Sequence, residues 1–385
     1  MTRKSADAAG RHTIRDVAAR AGVSASTVSR VLAGHYPVSA ATRTRVMHAV
    51  KELDYVADAR ARAIAGAGAS TVAFVLDDIT GPSFAQMAHG VEREASRRGH
   101  LCQVCTTEGD PERELAVVEV MRAQRAAAVI LVGGTVESPE YHERMSGIAR
   151  SLQSAGSRLV LCGRPPLGPD VPGTVIEYDN EGGAFALCSH LLSQGHRKIL
   201  FLGGIRGHMT ADGRERGYRG AYAARGIDPD PALIRTGDFT RDGGHRRVRE
   251  VLAAGLDFTA VFATTDMVAA GALTALREAG LRVPEDVSLA GYDDIAFARD
   301  LYPPLTTVHV PYEELGRIAV STALDRSPTA RNEHRLLGTH VVVRDSVRDL
   351  RDSGGAAGVD RPGQPPAEQP VGTRPAGTRP GGGVT

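Results

Sequence analysis

No apolar run in this chain approaches the ~18 residues that a membrane-spanning helix requires. The opening residues, MTRKSADAAGRH, carry charge with no apolar segment behind them, so no secretory leader is expected. Both absences point to a cytoplasmic protein with no membrane partner. Cysteine is scarce, at four residues, and only Cys102 and Cys105 have C-x-x-C spacing. They fall in HLCQVCTT, which reads as a strand, where side chains three apart face opposite sides. No second pair or histidine cluster completes a zinc site, so buried thiols and no metal are expected. Catalytic signatures are missing too. There is no phosphate-binding G-x-x-x-x-G-K-S/T and no G-x-G-x-x-G opening a helix behind a strand. Neither a nucleophile elbow with a Ser/His/Asp order nor an H-E-x-x-H is present. Neither enzymatic activity nor a cofactor is therefore expected.

What is present begins with length. The 385 residues, 42% of them hydrophobic, supply apolar material for two or three domains. The chain is organised around residues 13–54, TIRDVAARAGVSASTVSRVLAGHYPVSAATRTRVMHAVKELD. Thr13 and Asp16 form a helix start signal, and Val17, Ala18 and Ala21 share one face. Gly22 stops that helix and Ser24 is placed to cap the next, residues 25–32. There Val28, Val31 and Leu32 point inward, leaving Ala25, Ser26, Ser29 and Arg30 outside. Ser39 starts a third helix with Val46, Val50 and Leu53 as its stripe. Two helices joined by a short Gly-containing turn make a helix-turn-helix, whose second helix enters the DNA major groove. Apolar spacing alone equally permits an ordinary three-helix bundle. Charge favours DNA: residues 1–65 hold 11 Lys/Arg and 5 Asp/Glu, a local net of +6 in a chain of net +1.

TIRDVAARAGVSASTVSRVL, followed by VSAATRTRV and ARAIAG, resembles the amino-terminal signature of LacI/GalR-family transcriptional regulators, and the likeness continues to about residue 350. The resemblance implies a sequence-specific repressor that binds double-stranded DNA at a palindromic operator. It places a base-reading residue at Arg30, whose planar fork can donate twice to guanine O6 and N7. Ala25 and Ser26 occupy the other two specificity positions, the first offering a methyl group and the second a hydroxyl. Thr13, Ser24, Thr27 and Ser29 are caps or phosphate contacts, and Thr42 and Arg43 position the third helix on the backbone. Residues 57–66, ADARARAIAG, match the family's hinge, which folds when two subunits meet over DNA. Its minor-groove wedge falls on Ile64, with Arg62 supplying charge beside it. Three positions depart from the usual pattern: Ala57 for Pro, Asp58 for Asn and Ile64 for Leu. Asp58 adds negative charge near DNA or caps the hinge helix.

From Thr71 onward apolar runs alternate with amphipathic segments. TVAFVLDD, LCQVCTT, AAVILVGG, RLVLCG, KILFLGG, AVFATT and VSLAGYDD read as buried strands. FAQMAHGVEREASRRG, PERELAVVEVMRAQ and GAFALCSHLLSQG read as helices between them. Such β-α alternation gives a doubly wound parallel sheet, and about 280 residues suit two similar lobes. The fold expected is a small all-α helix-turn-helix head plus an α/β, two-lobed, periplasmic-binding-protein-like core. By resemblance the lobes are 71–177 with 310–335 and 178–309 with 336–352, crossed three times by the chain. The divisions are a head at 1–56, a hinge at 57–70, a core at 71–352 and a tail at 353–385. The tail is Gly/Pro-rich, repeats GTRP and cannot bury enough surface to order itself. The family's tetramers use a carboxyl-terminal leucine heptad; none is present here, so a homodimer is expected.

Ligands of open α/β sheets bind beyond the carboxyl ends of the strands. Polar residues there include Asp77, Asp78, Ser83, Asp179, His208, Thr210, Arg214, Asp266 and Asp293. By resemblance Arg214 clamps ligand oxygens, Asp293 and Asp266 contact a small-molecule effector, a sugar for choice, and Phe84 and Phe239 flank it. Asp179 joins them at the crossover strand. Each has a plainer reading, since an Asp behind a strand is often a helix cap and an Arg is often a surface partner. A solute-binding transport component would share the core fold. It would also need a secretory leader, and it has no basic head. If Ile64 is the wedge, Ile64→Ala weakens DNA bending and leaves effector affinity little changed. Fluorescence energy transfer across an end-labelled operator measures the bend, and an unaltered bend removes the assignment.

Overall fold

The structure is a computed structural model that describes residues 12–33, 37–55, 71–134, 138–325 and 333–351. The expected hinge with Arg62 and Ile64, and the tail from 353 onward, lie outside the described residues.

The head contains α1 (Ile14–Ala21), α2 (Ala25–Ala33) and α3 (Ala40–Glu52). Gly22 ends α1 in the left-handed conformation at φ 67°, its N–H closing on the Ala18 and Ala19 carbonyls. Ser24 Oγ accepts from the Thr27 N–H at 3.1 Å, and Ser39 Oγ accepts from the Thr42 N–H at 3.3 Å. The chain is thus turned twice by capped starts. Val17, Val28 and Val46, one from each helix, are fully buried, with Ala18, Ala21, Val31 and Ala49 around them. Leu32, Val50 and Leu53 are only half-buried and form the rim of this core.

The core opens with β1 (Thr71–Leu76), α4 (Pro82–Arg97), β2 (Leu101–Thr106), α5 (Pro111–Ala123), β3 (Ala128–Val132), α6 (Pro139–Ser154), β4 (Arg158–Cys162) and β5 (Thr174–Tyr178). It continues with α7 (Asn180–Ser193), β6 (Ile199–Leu202), α8 (Met209–Ala223), β7 (Ile234–Arg235), α9 (Arg241–Ala253), β8 (Ala260–Ala263), α10 (Asp266–Glu278), β9 (Ser288–Ala290) and β10 (Thr307–His309). Last come α11 (Tyr312–Leu324), β11 (His334–Leu337) and β12 (His340–Val342). The first lobe is built on a parallel sheet of order β11-β5-β4-β3-β1-β2, the second on a parallel sheet of order β7-β6-β8-β9. Strands β10 and β12 pair antiparallel, so the chain passes between lobes after β5, after β10 and after β11.

The inner strands β1, β3 and β4 of the first sheet are covered on both faces, which is why they read as continuous apolar runs rather than alternations. Phe74, Ile130, Val160 and Ile176 pack in one cluster, which also holds residues of α4 and α11. Val75, Val129, Leu131 and Leu161 pack in another, with residues of α5 and α6. The helices that pair against each other do so through glycine. Gly90 of α4 lies under the Glu313 carbonyl and Gly316 of α11 under that of Met87. Gly217 of α8 lies under the Glu181 carbonyl, Gly244 of α9 under that of Val268 and Gly271 of α10 under that of Arg241. A Cβ at any of these would fall inside van der Waals contact with backbone, so the helix axes can approach only while the residue is glycine. Gly271→Ala is accordingly expected to cost ~1–3 kcal/mol through overpacking. Denaturant unfolding of the full chain measures it, and an unchanged midpoint would mean that α9 and α10 do not meet at this point.

Candidate functional site

Two regions gather the residues singled out from sequence. On the head, the Ser24 cap fixes the start of α2 and therefore which of its side chains face outward. Ser26 and Arg30 are exposed and Ser29 is half-buried, while Ala25 is half-buried against the head core. The hydroxyls nearby are engaged locally. Ser24 shares hydrogen bonds of 2.8 Å with both Ser26 and Thr27. Thr13 donates to Asp16 from its N–H at 2.6 Å and its hydroxyl at 2.8 Å, which holds the Asp16 carboxyl below its usual range. Ser39 Oγ donates to Thr42 Oγ1 at 2.9 Å, and Arg43 is exposed one residue on. Ser24 and Thr42 thus serve the cap geometry, and Ser26, Arg30 and Arg43 are the side chains presented.

In the core, the strand ends of the two lobes bring the second group together. Arg214, on α8, is 1% exposed. Its Nε donates to Asn180 Oδ1 at 2.9 Å, one terminal nitrogen to the Thr264 carbonyl and the other to Asp293 Oδ1 at 3.2 Å. The guanidinium also lies 3.8 Å above the Tyr292 ring. Burial opposes its charge, but Asp293 together with Tyr178, Tyr312 and Tyr292 more than offsets that, so Arg214 stays a cation. Asp293 Oδ1 accepts a second bond, from the Tyr312 hydroxyl at 2.8 Å. Tyr312 opens α11, which packs on the first sheet, so this bond joins the lobes. Asp293 sits at φ 111° and Asp294 at φ 53°, both in the left-handed region that non-glycine residues enter only when their surroundings hold them. Asp294 is held on its own side by Arg344 at 2.5 Å and by His309 at 3.0 Å.

The other residues singled out differ in how far they open to the cleft. Phe84 is half-buried beside Gly81 and Gly133, and Phe239 is half-buried against Gly204. Thr210 is buried within α8. Asp179 caps α7, accepting from the Gly182 N–H at 2.7 Å, and this is the plainer of its two readings. Asp266 departs from the ligand-contact reading. Its side chain is wholly enclosed, with Oδ1 accepting from the Thr307 hydroxyl at 2.7 Å and Oδ2 from the Ile295 N–H at 2.9 Å. Burial drives its pKa well up, and the carboxyl ties the loop after β9 to β10 instead of facing outward.

Several residues were not singled out from sequence. Asn180 and Tyr292 adjoin Asp179 and Asp293 in YDN and GYDD, so adjacency was their signal. Tyr312 had none, because it arrives from the other lobe. Arg164 is 1% exposed and makes a two-pronged pair with Glu114 at 2.6 and 2.8 Å while donating from Nε to the Gly133 carbonyl at 2.6 Å. Beside it Asp77 accepts from the Thr107 hydroxyl at 3.2 Å, its pKa raised by burial. The cleft therefore offers acceptors at Asp77 and Asp293, a guanidinium at Arg214 and two ring faces. Among the described residues, no group of His, Cys, Asp and Glu is placed to hold a metal ion, and all four cysteines are free. No described helix is long and apolar enough to cross a membrane.

Two family models match this chain. One, described as bacterial regulatory proteins of the lacI family, matches residues 13–58, and the other, a periplasmic binding protein-like domain, matches residues 188–347. The HTH-type transcriptional regulator CelR of Thermobifida fusca is 35% identical over 343 residues, covering 87% of this chain and 98% of the relative. A solved complex of CelR with cellobiose superposes with a TM-score of 0.63 at 34% identity, covering 87% of this chain and all of that one. The lac repressor dimer bound to operator and the anti-inducer ONPF superposes with a TM-score of 0.76 at 25% identity, covering 88% and 99%.

The buried ion pair generates a prediction of its own. Asp293→Asn leaves the Arg214 guanidinium enclosed without its counter-charge, and a loss of ~3–5 kcal/mol of core stability is expected. Tyr312→Phe removes one neutral donor and costs ~0.5–1.5 kcal/mol. Chemical denaturation of the two variants should reproduce that order, and equal losses would mean that Arg214 does not depend on Asp293.

Proposed function

The chain belongs to the LacI family of bacterial regulatory proteins, and on that footing we propose that it is a repressor that binds a palindromic operator as a homodimer and is controlled by a sugar held between its lobes. That it is a DNA-binding transcriptional regulator under ligand control, rather than a transport solute carrier or an enzyme, follows from the family and from the relatives it spans nearly end to end. The observation that carries the finer reading is the pairing, on one chain, of a capped helix presenting Ser26 and Arg30 with a cleft built around Arg214 and Asp293.

In this reading Arg30 reads a guanine, Ser26 and Ala25 contact neighbouring bases, and Arg43 contacts phosphate from α3. Thr13, Ser24, Thr27, Ser29 and Thr42 fix the register of the head. Arg62 and Ile64 act in the hinge that joins the head, residues 1–56, to the core, residues 71–352. The effector is polyhydroxylated. Arg214 has five N–H donors, of which the protein takes three, and Asp293 Oδ2 and Asp77 are acceptors. Phe84 and Phe239 offer the apolar faces against which sugar C–H groups pack. The cellobiose complex of CelR supports the same class. Asp179 and Asp266 act by holding α7 and the β9–β10 loop. A dimer is supported by the exposed edge of the first sheet, where Leu101 and Val104 of β2 face outward at 72% and 40% exposure. The compartment proposed is the cytoplasm, where the DNA is.

Selection of bound fragments from a pool of random-sequence palindromes tests the reading directly. A recovered palindrome, preferred over bulk DNA and released or tightened by one member of a sugar panel containing cellobiose and ribose, is the expected result. No preference for any palindrome overturns it. On the recovered fragment, Arg30→Ala is expected to relax the preference at one base position by ~1–3 kcal/mol. An equal loss on every sequence would assign Arg30 to phosphate instead.

A further inference from the structure

The loops behind β3 and β6 are built alike. Each strand runs into a Gly-Gly pair, Gly133–Gly134 in the first lobe and Gly203–Gly204 in the second. The first carbonyl of each pair is gripped by a buried guanidinium, Gly133 by Arg164 and Gly203 by Arg247. The second glycine of each pair leaves the room of a side chain, and a ring occupies it. A Cβ on Gly134 would meet the imidazole of His208, and a Cβ on Gly204 would meet the ring of Phe239. The two rings stand edge to face, their centroids 5.4 Å apart at 69°. Gly134, His208, Phe239 and Gly204 therefore stack without a gap from one lobe to the other. His208 is the member that crosses.

His208 occupies the cap position of α8, where a short oxygen side chain usually accepts from the first amides, yet it makes no such bond. Its Nδ1 is buried without a hydrogen-bond partner, and the Gly134 backbone of the other lobe is the polar group that the ring faces. Burial, with Arg214 and Arg164 nearby, holds the imidazole below its ordinary pKa, so the ring that faces Gly134 is neutral.

We propose that His208 is a positioning residue of the ligand switch: its ring seats in the notch over Gly134 and sets how far the two lobes close on each other. This rests on reading the cleft as the effector site, because a ligand that bridges the lobes then works against a spacing this seat defines. Gly134 is the apt place to test it, since its backbone is outside the left-handed region and accepts a Cβ without strain of its own. The full-length protein, with no DNA and no added ligand, is followed by hydrogen–deuterium exchange at residues 77–84 and 203–212. Gly134→Ala and His208→Ala are each expected to speed exchange there about fivefold or more, with the double variant no faster than His208→Ala alone. His208→Phe, which keeps a ring, should retain wild-type protection and restore sensitivity to Gly134→Ala. The proposal is overturned if Gly134→Ala has the same effect with and without the His208 ring, or if neither single variant changes exchange in these segments. Should His208→Ala lower the melting temperature of the whole core, the comparison of Gly134→Ala in the wild-type and His208→Phe backgrounds decides alone: speeding in both supports the seat, and in neither overturns it. Because the experiment contains no DNA, its failure leaves the regulator reading standing, and failure to select a palindrome leaves the seat standing.

Discussion

One buried carboxylate oxygen, Oδ1 of Asp293, carries the geometry of the core. It accepts from Arg214 in its own lobe and from Tyr312 on an element of the other. Both donors are enclosed, but they weigh differently: the Arg214 charge left without its partner costs several kcal/mol, whereas the neutral Tyr312 hydroxyl contributes about one ordinary hydrogen bond. The φ of 111° at Asp293 is the local cost of aiming the carboxylate there. Asp294 beside it adopts the same unusual region to reach His309, the last residue of β10, and Arg344, just beyond β12. Two consecutive aspartates thus lock onto opposite supports, and the loop after β9 has little freedom to choose another shape.

The parallel sheets make that loop the right place for such a lock. In each of the two parallel sheets the strands point their carboxyl ends toward the cleft, so loops of separate origin converge without being adjacent in sequence. The glycine crossings of α4 with α11, α7 with α8 and α9 with α10 bring helix backbones together and leave no slack beneath the loops. Small changes in the cleft are then passed on by rigid lobes instead of being absorbed by soft packing. Three strand passages between the lobes favour rotation about the passage region over free separation.

Much of this was legible in the residues. The three head helices follow from 3.6-residue spacing and from Ser24, Gly22 and Ser39 in their proper places, because caps and apolar stripes are local signals. The sheets follow from strands whose runs are apolar on both faces, and the lobe count from length. Side-chain direction was not legible. Asp179, Asp266 and Asp293 all follow strands and look equivalent in sequence, yet one caps a helix, one is sealed beneath a loop and one faces an arginine. What separates them is the tertiary partner: Thr307 and Ile295 in one case, Arg214 and Tyr312 in the other. Tyr312, Arg164 and Glu114 escaped for the same reason, since each meets its partner across a separation that no periodicity records.

That asymmetry bears on how ligand binding and lobe geometry are coupled. Tyr312 and Arg214 approach the same oxygen from different lobes, so a ligand hydroxyl donating to Asp293 competes with, or reorients, a bond between the lobes. In the proposed reading, binding at this carboxylate and a change in lobe spacing are a single event and need no relay of intermediate side chains. Couplings between sites in proteins commonly amount to 1–3 kcal/mol, about the net worth of one or two hydrogen bonds. Redirecting the bond to one oxygen is enough to supply that. Residues 1–65 carry a net +6 on an otherwise acidic chain, and their attraction to phosphate is present in either lobe geometry.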